Sequence, residues 1–292
     1  MSTINKVPAG AGAEWLLGAF ALLRKAPLAL ALLGAIWGLL SMVAVQAMAL
    51  NVTLGLFLQL GLALLGPLLF AGLLWAVREV DEGRPALPSH LLHALHGGNV
   101  AGLLATLLPQ LAAALLLGLL LILMVGPGEL QHLVEVMAKL QETAQAGGQP
   151  DPALVQALPV GRLLLWVLML FAAVIVVSLV TFVAVPDIVF GGNGGLAAMG
   201  NSLQACAQNL LAMGVFYLLL LITLFALSVG IQLLAMVVQL VAGPMVAMWL
   251  SNLLLMAVLM PVMAGAVFYA WRQMLGSGAT VDPAAMATHF EA

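Results

Sequence analysis

Residues 186–214 read PDIVFGGNGGLAAMGNSLQACAQNLLAMG, and this stretch decides how the rest of the chain divides. It is the one long, glycine-rich and weakly polar interruption in the second half of an otherwise apolar sequence. An apolar run of membrane-crossing length, about 162–185, ends at Pro186, and another begins near Leu210. Between them, residues 196–208 have the pattern of a short amphipathic segment. Leu203 and Cys206 are among its apolar positions, Gln204 and Gln208 among its polar ones. A surface segment followed by two apolar runs is a unit that recurs, at 12–25, 88–97 and 196–208.

Composition sets the solvent. Of 292 residues, 64% are hydrophobic and 7% charged, and the mean hydropathy is +1.20. A soluble domain carries about 25% charge, so this chain cannot cover its own surface in water. Within a bilayer, backbone hydrogen bonding requires helices or a closed barrel. The apolar runs are continuous rather than alternating, which selects helices. The fold class is an all-α integral membrane protein with about six transmembrane helices, arranged as three hairpins, each preceded by a cytoplasmic amphipathic surface helix.

The expected spans are about 27–49, 54–77, 99–125, 162–185, 210–242 and 245–271, in a single polytopic membrane domain covering 1–292. Asn51-Val52-Thr53 fits a glycosylation sequon but lies beside the bilayer and reads as a turn. Pro67, Pro109 and Pro261 fall inside spans, and Pro67 and Pro261 are expected to kink theirs. Gly34 and Gly38 have the spacing of a close helix contact, a signal of low specificity by itself. Residues 210–242 would form a helix about 50 Å long against a hydrocarbon core of about 30 Å. They therefore tilt, project or break, with Gly230 as the expected break and Gly243-Pro244 as the turn that follows. The start, MSTINKVPAG, lacks the pattern of a cleavable signal peptide, so the first span is expected to remain as a signal-anchor. Residues 126–161 are an extracytoplasmic amphipathic segment, with a helix over 129–145 in which Glu135 and Lys139 form an i,i+4 pair. The segment after Gly276 is polar.

With six spans, Lys6, Arg24, Lys25, Arg78, Arg84 and Arg272 share one side, and only Lys139 and Arg162 face the other. The positive-inside rule then places both termini in the cytoplasm.

Recognisable chemistry is sparse. Eight basic residues and a net charge of −3 offer no patch for nucleic acid. Cys206 is the one cysteine, so an intrachain disulfide and a cysteine zinc cluster are excluded. His90, His93 and His96 spread over about 120° of a helix, too wide for three ligands to one metal. The GGNGG run lacks the lysine and preceding strand of a phosphate-binding loop and reads as a connector. No catalytic, cofactor or metal residue is assigned. The spans carry no ionisable residue in their inner parts, which argues against an enzyme or a proton-coupled carrier. Candidate partner-docking residues are Arg78, Glu79, Asp81, Glu82 and Arg84 of the most charged loop, with Glu135 and Lys139. Candidate polar lining residues are Gln232, Gln239 and Asn252.

Three stretches carry a resemblance: GAEWLLGAFALLRKAPLAL at 12–30, GPLLFAGLLWAVREVDEGRPA at 66–86 and VPDIVFGGNGGLAAMGNSLQACAQN at 185–209. With the order of spans, the chain resembles a family of proteobacterial six-helix inner-membrane proteins, and more distantly the YciC-type membrane proteins. The resemblance implies a bacterial inner membrane and a six-helix fold, and carries over no catalytic residue.

The functional expectation is a non-enzymatic inner-membrane scaffold or accessory subunit of a membrane complex. Its partners are the lipid bilayer and either another membrane protein or further copies of the chain. The alternative is passive transport of an apolar or zwitterionic solute, or lipid handling. Cofactors are expected to be none.

Overall fold

A computed structural model describes residues 4–145 and 159–276. Regular structure among them is helical throughout. In chain order the helices are α1 (Ala11–Lys25), α2 (Pro27–Leu50), α3 (Val52–Asp81), a 3-10 turn (Pro88–Leu92), α4 (His93–His96), α5 (Val100–Ala105) and α6 (Leu108–Val125). There follow α7 (Pro127–Gln145), α8 (Val160–Thr181), α9 (Ala184–Val189), α10 (Gly195–Gln208), α11 (Leu210–Ala242) and α12 (Pro244–Met274). Six helical segments are long and apolar enough to cross a membrane: α2, α3, residues 100–125, residues 160–189, α11 and α12. This is the expected multi-pass composition.

Local chemistry explains the boundaries. Asn51 caps α3, its Oδ1 accepting from the Leu54 N–H at 3.0 Å, so the sequon is a helix cap as well as a turn. Gly243, at φ +85°, closes α11, and Pro244 opens α12 at a position whose N–H would be unbonded anyway. Two prolines are placed differently from the expectation. Residues 100–125 break at 106–107, and Pro109 sits in the first turn of the new helix rather than inside one continuous span. Residues 160–189 break at 182–183, and Pro186 lies inside α9 rather than ending a helix. In both cases the proline, which has no N–H to donate, is accommodated near a helix start. Gly230, the expected break, lies within one unbroken helix of 33 residues.

The chain divides into two compact units, one of residues 1–107 and 179–292, the other of residues 108–178. In the first unit α1 packs against α11 and α12, and α2 packs against α3 and α12. The contacts are close because glycines line them. A Cβ on Gly12 would lie 2.1 Å from the Ala212 carbonyl oxygen, and one on Gly34 would lie 2.3 Å from that of Met256. Trp15 is fully buried (0% exposed) and meets Phe182 and Phe216 at ring-centroid distances of 6.2 and 6.1 Å.

The three short segments differ from simple surface helices. In α1, Trp15, Leu16, Ala19 and Leu22 are buried, against protein. In α10 the buried residues are Ala198, Met199, Ser202, Ala205 and Cys206, whereas Leu203 points outward. Residues 88–97 form a 3-10 turn and a single α-turn, with Leu91 buried and Leu92 and Leu95 exposed. Pro88 and the Gly97-Gly98 pair leave too little chain for a full helix.

In the second unit, α6 packs against α7, and the Trp166 indole N–H donates to the Leu117 carbonyl at 2.9 Å. The amphipathic helix runs over Pro127–Gln145, but its inward face is centred on Val136. Val134 and Met137 are exposed. Residues 146–158, part of the segment expected to be extracytoplasmic, and the segment after Gly276 lie outside the described residues.

Candidate functional site

Asp187 is the only acidic residue between Asp151 and Asp282. It sits in α9, just beyond the end of an apolar run, and is 2% exposed. An isolated buried carboxylate is costly unless hydrogen-bonded, and three side chains satisfy it. Asn193 and Asn201 donate their amides to Oδ2 at 3.0 and 2.9 Å. The Trp271 indole N–H approaches Oδ1 at 3.3 Å. The Asn193 backbone N–H also donates to the Asp187 carbonyl at 3.3 Å.

The glycine run is shaped around this group. A Cβ on Gly191 would lie 2.6 Å from both the carbonyl and Oδ1 of Asp187, and Gly192 has φ +67°. Residues 190–195 are therefore a clasp around a carboxylate. The connector reading missed it because Asn193, Asn201 and Trp271 are scattered in sequence. A usable signal was present: a lone acid, then an asparagine among glycines, then a second asparagine on the next helix. Ser202 adds to the same closure, donating to the Leu179 carbonyl at 2.9 Å and accepting from the Val183 N–H at 3.1 Å. It thereby caps backbone groups freed by the break at 182–183.

An aromatic cluster extends from the clasp. Trp271 and Phe190 are 5.4 Å apart, Phe190 meets Trp75 at 6.0 Å, and Trp75 stacks on His93 at 3.9 Å. The Arg78 guanidinium lies 5.5 Å from the Trp75 ring and 5.2 Å from the Phe190 ring. Beside this cluster a cleft of about 200 Å³ is lined by Trp75, His93, Asn99, Leu103 and Val189 among others. Asn99 is tied in by a 3.4 Å bond from its amide to the Ile188 carbonyl.

The three histidines take separate roles. His90 Nδ1 accepts from the Leu87 N–H at 3.2 Å, His93 stacks on Trp75, and His96 Nδ1 lies 3.2 Å from the Leu92 carbonyl. Among the described residues no three of His, Cys, Asp and Glu are grouped to hold a metal ion.

The charged loop is largely paired within itself. Arg84 bonds Glu79 and Glu82, and Arg78 pairs with Glu82 at 2.7 Å. Hydrogen bonds from Arg78, then Arg84, hold the Glu82 carboxyl below the usual carboxylate range. Asp81 turns away, accepting from Arg272 at 2.7 Å and from the Tyr269 hydroxyl at 2.9 Å. Arg78, Glu79, Glu82 and Arg84 thus form one network at the surface, exposed at Glu82 and Arg84 and half-buried at Arg78 and Glu79, while Asp81 joins α3 to α12. Glu135 and Lys139 are exposed on α7 in the other unit, and no ion pair joins them.

The proposed lining residues do not share one lining. Gln232 and Gln239 are exposed on α11. The Asn252 Oδ1 is buried without a hydrogen-bond partner among the described residues, at the α2 seam, 3.3 Å from where a Cβ on Gly38 would sit.

The N-terminal segment closes the same end of the first unit. Asn209 accepts from the Val7 N–H at 2.8 Å and donates to the Asn5 carbonyl at 3.1 Å. The Asn5 N–H donates to the Met274 carbonyl at 2.9 Å, and the Trp15 indole donates to Gln273 at 2.7 Å. Compared with family profiles, curated proteins and solved structures, the chain matches none.

Proposed function

We propose that this protein is a non-enzymatic membrane scaffold or accessory subunit of a membrane complex. The observation that carries the reading is the use made of Asp187. Its carboxylate already accepts from three side chains and joins a loop to α12, so it is committed to holding the fold. The other acids at this end are engaged in the same way: Asp81 with Arg272, and Glu79 and Glu82 with Arg84. A reactive centre needs groups free to exchange protons or bind substrate.

The rest of the proposal follows the sequence. The protein resides in a bacterial inner membrane, as its resemblance to the six-helix family implies, with both termini cytoplasmic and its spans paired as three hairpins. Segments 12–25, 88–97 and 196–208 lie on the cytoplasmic side, and residues 126–161 on the other. The docking surface is the charged network of Arg78, Glu79, Glu82 and Arg84, with Glu135 and Lys139 of α7 as a second contact.

The test is extraction of the full chain into native-lipid discs, followed by mass spectrometry of whatever accompanies it at near-equal stoichiometry. A specific protein companion, lost on Arg84→Ala with Glu82→Ala, is the expected result. A chain recovered without another protein species overturns the accessory-subunit reading.

A second reading, lipid or zwitterionic-solute handling, draws on the cleft beside Trp75. An aromatic wall with an imidazole and an amide suits a headgroup with both charge signs. Enrichment of one lipid in the discs, reduced by Trp75→Ala, would favour it.

A further inference from the structure

We infer that residues 108–178 swing as one hinged hairpin against the first unit, on two pivots carried by α10. The inference stands apart from the scaffold and lipid readings, since it concerns motion within the chain.

Both connections between the units are interrupted helices. Residues 100–125 break at 106–107 and residues 160–189 at 182–183, and the unit boundaries follow Leu107 and Ser178. An unbroken helix would carry its direction rigidly from one unit into the other. A break leaves a few backbone dihedrals to absorb a rotation. The same chemistry makes each break. Pro109 and Pro186 lack the N–H that would bond the carbonyl four residues back, and the proline ring crowds that carbonyl. Those carbonyls belong to Ala105 and Phe182, at the two breaks. At the first, the Thr106 and Leu107 N–H groups turn to the Leu103 and Leu104 carbonyls at 3.1 and 3.0 Å. That 3-10 pattern within a span is a common mark of a hinge.

The pivots share a support. α5, α9 and α10 all belong to the first unit, where α5 packs on α3 and α10, and α9 packs on α10. A Cβ on Gly195 would lie 2.5 Å from the Gly102 carbonyl oxygen and 2.9 Å from the Ala105 Cβ, so the first pivot rests on the start of α10. The second rests on Ser202, which accepts from the Val183 N–H at 3.1 Å and donates to the Leu179 carbonyl at 2.9 Å, bridging the break. Gly195 and Ser202 are about 10 Å apart along α10. Two pivots set along one helix permit rotation about an axis near that helix and resist other rotations. Within the hairpin, the Trp166 bond to Leu117 ties α8 to α6, so the two legs move together.

The test is double electron–electron resonance on the full chain in native-lipid discs, with Cys206→Ala to remove the native thiol. Spin labels at Leu123→Cys and Leu56→Cys report between the units. Labels at Val241→Cys and Leu56→Cys report within the first unit, and all three positions are exposed. Leu123 lies about 24 Å along α6 from the first break, so a rotation of about 10° moves it by about 4 Å. The between-unit distribution is expected to exceed the within-unit one in width by about that amount. Pro109→Ala with Pro186→Ala, which lets both helices run through, is expected to narrow it to the within-unit width. Ser202→Ala, which removes the bridge at the second break, is expected to broaden it further and leave the within-unit distribution unchanged. A between-unit distribution as narrow as the within-unit one overturns the inference. So does a width that neither the proline substitutions nor Ser202→Ala alters. Equal broadening of both distributions by Ser202→Ala would make the serine a support of the whole unit and overturn the pivot on α10.

Discussion

Gly34→Ala adds one methyl group to α2, and the structure sets its consequence. The new Cβ would lie 2.3 Å from the Met256 carbonyl oxygen, 2.9 Å from the Ala257 Cα and 3.0 Å from the Pro261 Cδ. An ordinary carbon–oxygen contact is about 3.3 Å, so α2 and α12 must separate by roughly 1 Å. The nearest two atoms are backbone, which cannot rotate aside. Overpacking of this kind costs about 1–3 kcal/mol, and a rigid neighbour puts Gly34→Ala at the upper end. Gly230→Ala is the control. Nothing lies within 4 Å of its Cβ, and it occupies the interior of α11. There alanine gains helix propensity, about 0.8–1 kcal/mol in aqueous hosts. The two variants therefore move stability in opposite directions, by about 3–4 kcal/mol in total. Unfolding by SDS in mixed micelles, followed by tryptophan fluorescence, reads both. A Gly34→Ala protein as stable as the parent, or one shifted in the same direction as Gly230→Ala, would refute the packing argument.

Three further predictions follow from the polar groups. Asp187→Ala leaves three neutral donors without their acceptor and is expected to cost about 1–3 kcal/mol. Asp187→Asn keeps one acceptor oxygen and falls between, and Trp271 emission should shift to the red in both; an unchanged spectrum and midpoint would remove the clasp from the stability argument. Asn252→Leu replaces a buried, unpartnered acceptor with apolar volume and is expected to stabilise by about 1–2 kcal/mol. A loss of stability would mean that the amide has an unseen partner. Burial pushes the Cys206 thiol from 9.0 up to about 12, partly opposed by a hydrogen bond with Ser202. The folded protein should resist maleimide at pH 7–8 and react on unfolding. Because the folded value is raised, the thiol's contribution to stability is complete below about pH 9 and is lost as pH rises toward 12; a stability that climbs over that interval in the parent but not in Cys206→Ala would contradict the sign.

Much of the architecture was legible because it depends on transfer into lipid, which is local and nearly additive along the chain. The six apolar segments, the turn at Asn51, the Gly243-Pro244 turn and the extent of α7 follow from hydropathy and turn chemistry. The breaks at 106–107 and 182–183 were less legible, since Pro109 and Pro186 fit equally well inside a kinked helix or near the start of a new one. Gly34, Gly61, Gly66 and Gly230 look alike in sequence; only the structure shows backbone against the first and open space beside the other three.

The functional residues divide in the same way. The charged run 78–84 stood out by composition, but the inward turn of Asp81 required Arg272, 191 positions away. Asp187 needed Trp271 from 84 positions away, and Trp15 needed Gln273 from 258. Gln232 and Asn252 are both amides in apolar runs, yet one faces outward and the other is buried at a glycine seam. By itself the sequence determined that this chain is a helical membrane protein and where its apolar segments lie. Which face of each segment meets protein, and which acids are already bonded, was decided by tertiary structure alone. The physical reason is that lipid tails are as apolar as leucine, so hydropathy cannot distinguish a helix face covered by lipid from one covered by another helix.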